Sequence, residues 1–499
     1  MKFYIARKPT SESRSLSLEF ASIGFLIKSG LFEQPLIGRS GDMGIRLAND
    51  EFEQDGARRP AELPSPVEIL QALIRFNTTN PPGEEAACVM YIQQLLEDAG
   101  IETRTYALDP ARPNLLARMK GSGEAPPLLL YGHVDVVGVD MQAWSRDPFG
   151  GDIEGGFVWG RGALDMKGGV AMLVSAFLRA HVRKLPLRGD LILAIVSDEE
   201  AGGEYGASFL VERHADYFAG VKYALGEFGG FAFHALGKTF YPIMVAEKQL
   251  CWLKATIRGD GGHGSMGKPG ADCMAQLGNM LQSLNRNKLP IRATPAARLM
   301  IEGMAAALPL LPALLLRGLL RPRLGGLILK LLGEKGGTFA PLLRNTVSAT
   351  VVRGGEKINV HPSEITVELD GRTLPGVTPQ QFMDELRRFA INDSIRLEVL
   401  RHDPCAAAPD MGMFSLLSDV LKEADKEAVP VPMLLPGGTD GRLFARLGIQ
   451  TYGFLPMPLP KDMQFTKLIH AADERIPVEA IGFGTDAIYR VLERYGVQP

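Results

Sequence analysis

Residues 128–135 read Leu128-Leu129-Leu130-Tyr131-Gly132-His133-Val134-Asp135, an apolar run that ends in a histidine and an acid two residues apart. A short apolar run bounded by a turn signal suits a buried strand. The arrangement returns in Gly160-Arg161-Gly162-Ala163-Leu164-Asp165, Ile195-Val196-Ser197-Asp198-Glu199-Glu200 and Tyr223-Ala224-Leu225-Gly226-Glu227, each with a carboxylate at its end. Strands are expected at 128–131, 191–196 and 223–225, with helices at 170–183 and 206–213 between them. That alternation predicts an α/β fold with a mainly parallel sheet and helices on both faces. In open α/β sheets the carboxyl ends of strands line the ligand crevice, so acids distant in sequence can converge there.

Convergence of this many carboxylates needs a cation. Without one, repulsion and desolvation raise their pKa values and disfavour the cluster. A mixture of imidazole and carboxylate without thiolate favours zinc, with manganese or cobalt as alternatives. Taken singly, Asp165 also reads as the N-cap of a helix starting at Met166, and Glu199-Glu200 as a solvated pair.

Working outward, Pro64-Ser65-Pro66 introduces a helix from Val67, Pro81-Pro82-Gly83 breaks it, and a second helix over 84–99 stops at Gly100. From Cys251 the pattern becomes that of half-exposed strands (252–257, 346–352, 364–369) with a helix near 272–284. Helices at 414–424 and 477–494, and a turn at Gly437-Gly438, return to α/β character. The expected organisation is a catalytic domain over 61–250 and 404–499, a smaller α+β domain inserted at 251–403, and a loosely ordered extension over 1–60. The extension lacks a secretory cleavage pattern.

Composition removes several classes. With 54 Lys+Arg against 57 Asp+Glu and a net charge of −3, the 499-residue chain has no basic character for a nucleic-acid partner. Cys88, Cys251, Cys273 and Cys405 are far apart with no CxxC pair, which argues against a disulfide framework or thiolate zinc and for a reducing, cytoplasmic location. The longest uncharged apolar run, 303–316, holds 14 residues and is broken by Pro309 and Pro312, short of the ~20 that a spanning helix needs.

The strings YGHVDVV, GRGALDMKGG, SDEEAGGEYGA, GGHGS, GGEKINVHPSEITVELDGRTLPG, PGGTDGRLF and IHAADERIP follow one another between residues 131 and 477. In this order they resemble the motifs of the two-zinc peptidase and amidohydrolase family that includes glutamate carboxypeptidase, acetylornithine deacetylase, succinyl-diaminopimelate desuccinylase, aminoacylase and vacuolar carboxypeptidase S. The resemblance implies one zinc held by His133, Asp165 and Glu227 and a second by Asp165, Glu200 and His470, with Asp165 bridging. Asp135 would orient His133 from behind, and Glu199 would be the general base. His263 would reach the scissile carbonyl, often from a partner subunit, and stabilise the oxyanion. Asn359 and Arg372 would bind substrate, the guanidinium suiting a free carboxylate. Gly438, Thr439 and Asp440 would form a substrate-side loop. The implied activity is metal-dependent hydrolysis of an N-acyl-amino acid or short-peptide amide next to a free carboxylate, by a homodimer whose inserted domain is lid and dimerisation surface. A carboxypeptidase on short peptides is the alternative, and Glu199 argues against a binding protein without turnover.

One stretch departs from the compact members of that family. Residues 284–344 carry ten Lys/Arg against two Glu, interleaved with apolar runs at 304–308, 314–316 and 327–329, and resemble the extended lid region of carboxypeptidase S and related N-acyl-amino-acid hydrolases. Three readings stand: a cap over an acyl pocket, a contact of 304–330 with an anionic membrane surface, and a buried helical hairpin.

Overall fold

The computed structural model describes residues 63–266, 272–333 and 336–497. The extension expected over 1–60 lies outside the described residues. The first helix, Pro66–Arg75, shows why the chain folds where it does. Ser65 Oγ accepts the Glu68 N–H, the Glu68 carboxylate accepts the Ser65 N–H, Pro66 occupies the first turn, and Ile69, Leu70, Leu73 and Ile74 bury one face.

In chain order the main strands are β1 (Thr103–Tyr106), β2 (Asn114–Met119), β3 (Leu128–His133), β4 (Leu191–Val196), β5 (Tyr223–Gly226), β6 (Lys238–Glu247), β7 (Gln249–Arg258), β8 (Thr346–Arg353), β9 (Glu364–Thr373), β10 (Arg396–Asp403), β11 (Ala428–Leu435) and β12 (Gln450–Gly453). The central sheet has the order β1-β2-β4-β3-β5-β12-β6-β11, with Phe233–Ala235 added on β6. Strands β4, β3, β5 and β12 run parallel, as do β6 and β11. The expected largely parallel sheet is borne out. β1 and β2 pair antiparallel because a short loop joins them.

Alternation along the strands creates two cores. Leu128 and Leu130 of β3, with Leu191, Leu193 and Ile195 of β4, pack beneath helices Lys167–Val182 and Val478–Arg494. Their neighbours Leu129, Tyr131, Ile192, Ala194 and Val196 face the other way, toward Ala207–Arg213 and Gly441–Phe444. Each aliphatic side chain so buried contributes roughly 1.5–3 kcal/mol. The helix expected from residue 170 starts at Lys167 instead. Gly168 and Gly169 weaken the helical signal, yet a Cβ there would lie 2.2 Å from Ala163 O or 2.5 Å from Leu455 Cδ1.

A second sheet, ordered β8-β9-β7-β10, is antiparallel throughout. In β9 burial alternates, with Ile365, Val367 and Leu369 inward, and helix Pro379–Phe389 adds Phe382 and Leu386 to the same core. Residues 284–344 contain four short helices after residue 294 rather than one hairpin: Pro295–Ala306, Leu310–Leu319, Pro322–Leu331 and Gly336–Leu343. Pro295, Pro309 and Pro322 fall at their starts, where a missing N–H costs nothing. Among the described residues no helix is long and apolar enough to cross a membrane.

Candidate metal centre

His133 closes β3 in register with Val196, the last residue of β4. Glu199 and Glu200 lie in a tight turn just beyond β4, and Glu227 directly follows β5. Asp165 stands before helix Lys167–Val182, whose cap residue is Met166 with no side-chain capping bond. The N-cap reading of Asp165 is therefore overturned: its carboxylate faces two imidazoles instead. His470 sits in a loop at φ 60°, fixed where Gln142 donates to its carbonyl (2.8 Å) and Ser145 donates N–H and O–H to Asp473 (2.8 and 2.9 Å).

Two groups of donor atoms result. His133 Nε2 is 3.3 Å from Asp165 Oδ1 and 3.6 Å from Glu227 Oε2, while His470 Nε2 is 3.1 Å from Asp165 Oδ2 and 3.2 Å from Glu200 Oε1. In each group the candidate ligand atoms lie within 4.8 Å of one another, and Asp165 belongs to both. His133 Nε2, Glu200 Oε1 and Glu227 Oε1 are buried without a hydrogen bond of acceptable geometry. Orphaned buried atoms of this kind carry a desolvation cost, and a divalent cation held among imidazole and carboxylate donors removes it. The residues present fit two metal ions.

The electrostatics agree. Burial pushes Glu200 up to about 7 although His470 opposes it, and burial, with Glu227 next, holds Glu199 well above the carboxylate range. Burial disfavours charge on His133, but the nearby Asp135, Asp165 and Glu227 carboxylates outweigh it and raise its pKa well above the usual imidazole value. Asp165 and Glu200 push His470 up to about 10. Glu199 and Glu200 are thus short of positive charge, which a divalent cation beside them would supply.

The nearest acceptor for His133 Nδ1 is the carbonyl oxygen of Asp135 at 3.0 Å, with its carboxylate Oδ1 at 3.4 Å. The Asp135 carboxylate also accepts the Glu199 and Glu200 N–H groups (3.1 Å each) and Asn80 Nδ2 (2.9 Å), so it pins the two glutamates to the histidine. Asn80 also donates to Asp198, which takes Arg112 at 2.9 Å. Glu474 clamps the other loop, accepting from Arg161 (2.7 Å) and from the N–H groups of Gly162, Leu164 and Asp165. Arg442 contacts Asp403 (3.2 Å), Gly202 O (3.0 Å) and, at 3.7 Å, Glu199 Oε1. Sequence reasoning missed Asn80, Arg112, Glu474 and Arg442 as supports, although Glu474 and Arg442 sit inside the quoted strings IHAADERIP and PGGTDGRLF.

The remaining candidates divide. Arg372 comes beside Gly438, where a Cβ would lie 3.7 Å from its Nη1, and its Nε donates to Asp370 at 2.8 Å. Thr439 is buried, its N–H donating to Glu247 and its hydroxyl accepting the Gly441 N–H. His263 lies on a two-stranded ribbon pairing Gly262–His263 with Val360–His361, and Asn359, just before its second strand, accepts the Gly264 N–H at 2.8 Å. Among the described residues the hydrogen-bond partner of the His263 ring is Ser265, and the ring makes none to the metal cluster.

Residues 129–494 match the model of peptidase family M20/M25/M40. The probable carboxypeptidase S-like 2 of Dictyostelium discoideum is 26% identical over 402 residues, covering 77% of this chain and 74% of that protein. The N-fatty-acyl-amino acid synthase/hydrolase PM20D1 of Xenopus tropicalis is 27% identical over 364 residues, 71% of this chain and 70% of that one. Among solved structures, an M20 family metallo-carboxypeptidase from Sulfolobus solfataricus shares the fold at a TM-score of 0.60 and 16% identity, covering 87% of this chain and 99% of that chain.

Proposed function

The chain belongs to peptidase family M20/M25/M40 and is a metal-dependent amide hydrolase, and from that premise we propose that it cleaves an N-acyl-amino acid or short peptide beside a free carboxylate, using two zinc ions. The observation that carries the reading is Asp165, which offers one carboxylate oxygen to each of two donor groups. His133, Asp165 and Glu227 would hold one ion, and Asp165, Glu200 and His470 the other. Two such cations would polarise the scissile carbonyl and lower the pKa of water for attack. The donor set lacks thiolate, which suits zinc and also admits manganese or cobalt.

The chain's own residues supply the rest. Glu199 belongs to neither donor group, so its carboxylate is available to take a proton from the attacking water and hand it to the leaving nitrogen. Asp135 fixes Glu199 through its N–H, and Arg442 flanks its carboxylate. Arg372, beside Gly438, would bind the substrate's free carboxylate as a paired hydrogen-bond donor, with Thr439 shaping that loop and Asn359 contributing from the ribbon. His263 would reach the scissile carbonyl from a second copy of the chain, with 251–403 as the lid and dimerisation domain; that its ring, among the described residues, hydrogen-bonds Ser265 and not the cluster of its own chain supports this, and a monomeric, fully active enzyme would contradict it. Four free cysteines, three of them buried, support a reducing, cytoplasmic location.

The test is a screen of N-acyl amino acids, dipeptides and their carboxyl-amidated counterparts on zinc- and manganese-loaded enzyme. The reading requires turnover of acids and little of the amidated forms. A preference for dipeptides would move it to the carboxypeptidase alternative, and equal turnover of amidated substrates would contradict carboxylate recognition.

A further inference from the structure

We propose that the outer face of helices Leu310–Leu319 and Pro322–Leu331 seats the protein on an anionic lipid bilayer surface. The two helices pack side by side through small residues: a Cβ on Gly318 would lie 2.5 Å from Ile328 Cδ1, and one on Gly325 2.5 Å from Leu319 O. Both bury their inner sides in the core of the second sheet, through Ala313, Leu316, Leu319 and Leu329. Their outer sides therefore point the same way. There Leu310 is 75% exposed, Leu314 54%, Leu327 55% and Leu331 70%, with Leu311 and Leu324 also exposed.

On the second helix Leu324, Leu327 and Leu331 follow helical spacing, so the apolar stripe is the one facing water, the reverse of an ordinary surface helix. A contiguous exposed apolar patch marks an interaction surface.

Charge selects the occupant. From Gly303 to Gly333 the chain has no Asp or Glu, while Arg321, Arg323 and Lys330 are exposed around the leucines. Among the described residues none of the three has an ion-pair partner, whereas the neighbouring Arg317 is paired with Glu302 at 2.7 Å. A second copy would bring the same cations to a self-complementary contact, and residues 303–333 offer no acid to meet them, Glu302 being engaged by Arg317. Leucines flanked by unpaired cations match the interface of an anionic bilayer, where side chains enter the acyl boundary and cations meet headgroup phosphates.

The experiment is co-sedimentation of the full chain with vesicles of phosphatidylcholine, with and without phosphatidylglycerol, at low and high salt. The proposal expects binding that requires phosphatidylglycerol and weakens with salt. The Leu324→Gln/Leu327→Gln/Leu331→Gln variant should bind at least ~10-fold more weakly, and Arg321→Gln/Arg323→Gln/Lys330→Gln should lose the preference for anionic vesicles. Both should hydrolyse a short, water-soluble substrate at the wild-type rate, which verifies their fold. Equal binding to both vesicle types, or binding unaffected by either variant, overturns the proposal. So does a wild-type oligomer that ignores vesicles and dissociates in the leucine variant, which would assign the face to a second copy. A vesicle-free loss of kcat/KM confined to long acyl substrates would assign it to the substrate and equally overturn the proposal.

Discussion

In the metal centre and the loops that support it, His133, Arg161, Arg442 and His470 each face carboxylates at 2.7–3.7 Å, in surroundings that are mostly buried. On helices Leu310–Leu319 and Pro322–Leu331 only Arg317 meets an acid, Glu302; among the described residues Arg321, Arg323 and Lys330 face none, and leucines beside them stand in water. The first region spends folding energy to hold charges in fixed relation, because a buried charge without a partner is expensive. The second costs the fold little, and its chemistry is directed outside the chain. Substitutions in the two regions should therefore differ in kind: those at the strand ends break catalysis or folding, and those on the helix face leave both intact.

The largest effect is expected at Glu199. Glu199→Ala should keep two metals per chain and lose at least ~10²-fold in kcat, since the residue moves protons without belonging to a donor group. Lost metal or near-normal turnover would remove it from that role. Next is Glu474→Ala, which leaves Arg161 buried without its carboxylate and frees three loop N–H groups. Thermal unfolding should report a loss of roughly 3–5 kcal/mol, and a change below about 1 kcal/mol would break the contrast between the regions.

A smaller, pH-dependent effect is expected at Glu247, which burial pushes up to about 8. In the fold it keeps its proton where the unfolded chain, with a carboxyl near ~4.3, has lost it. Its stabilisation is thus full below ~4.3 and fades as pH rises toward about 8. Glu247→Gln, which imitates the protonated acid, should match wild type in acid and exceed it near the upper limit by on the order of 1–3 kcal/mol. A wild-type advantage that grows with pH would reverse the sign. The smallest effect closes the series: each of Leu324→Gln, Leu327→Gln and Leu331→Gln should shift stability by no more than about 0.5 kcal/mol. A larger loss would show that the helix face is core after all.

The contrast also explains what could be read in advance. The run 128–133 announces a strand because a continuous apolar run closed by a turn signal is a local pattern, and strand ends place Glu200 and Glu227, whereas Asp165, expected after an apolar segment, lies in a turn before helix Lys167–Val182. Asn80 reaches across 118 residues to Asp198, and Arg161 across 313 to Glu474; no local pattern encodes such pairs. The start of the helix at Lys167 was hidden because Gly168 and Gly169 are chosen for close packing, against helix propensity. On the helix face the difficulty is opposite: leucines at helical spacing argue for burial, and only the three-dimensional packing shows which stripe the core leaves uncovered.

The central claim is that one carboxylate, Asp165, joins two metal positions, and metal stoichiometry by elemental analysis after gel filtration tests it most directly. Wild type should carry two ions per chain, His470→Ala one, and Asp165→Ala close to none, with circular dichroism confirming that each variant is folded. A folded Asp165→Ala protein that still holds two ions per chain would contradict the account.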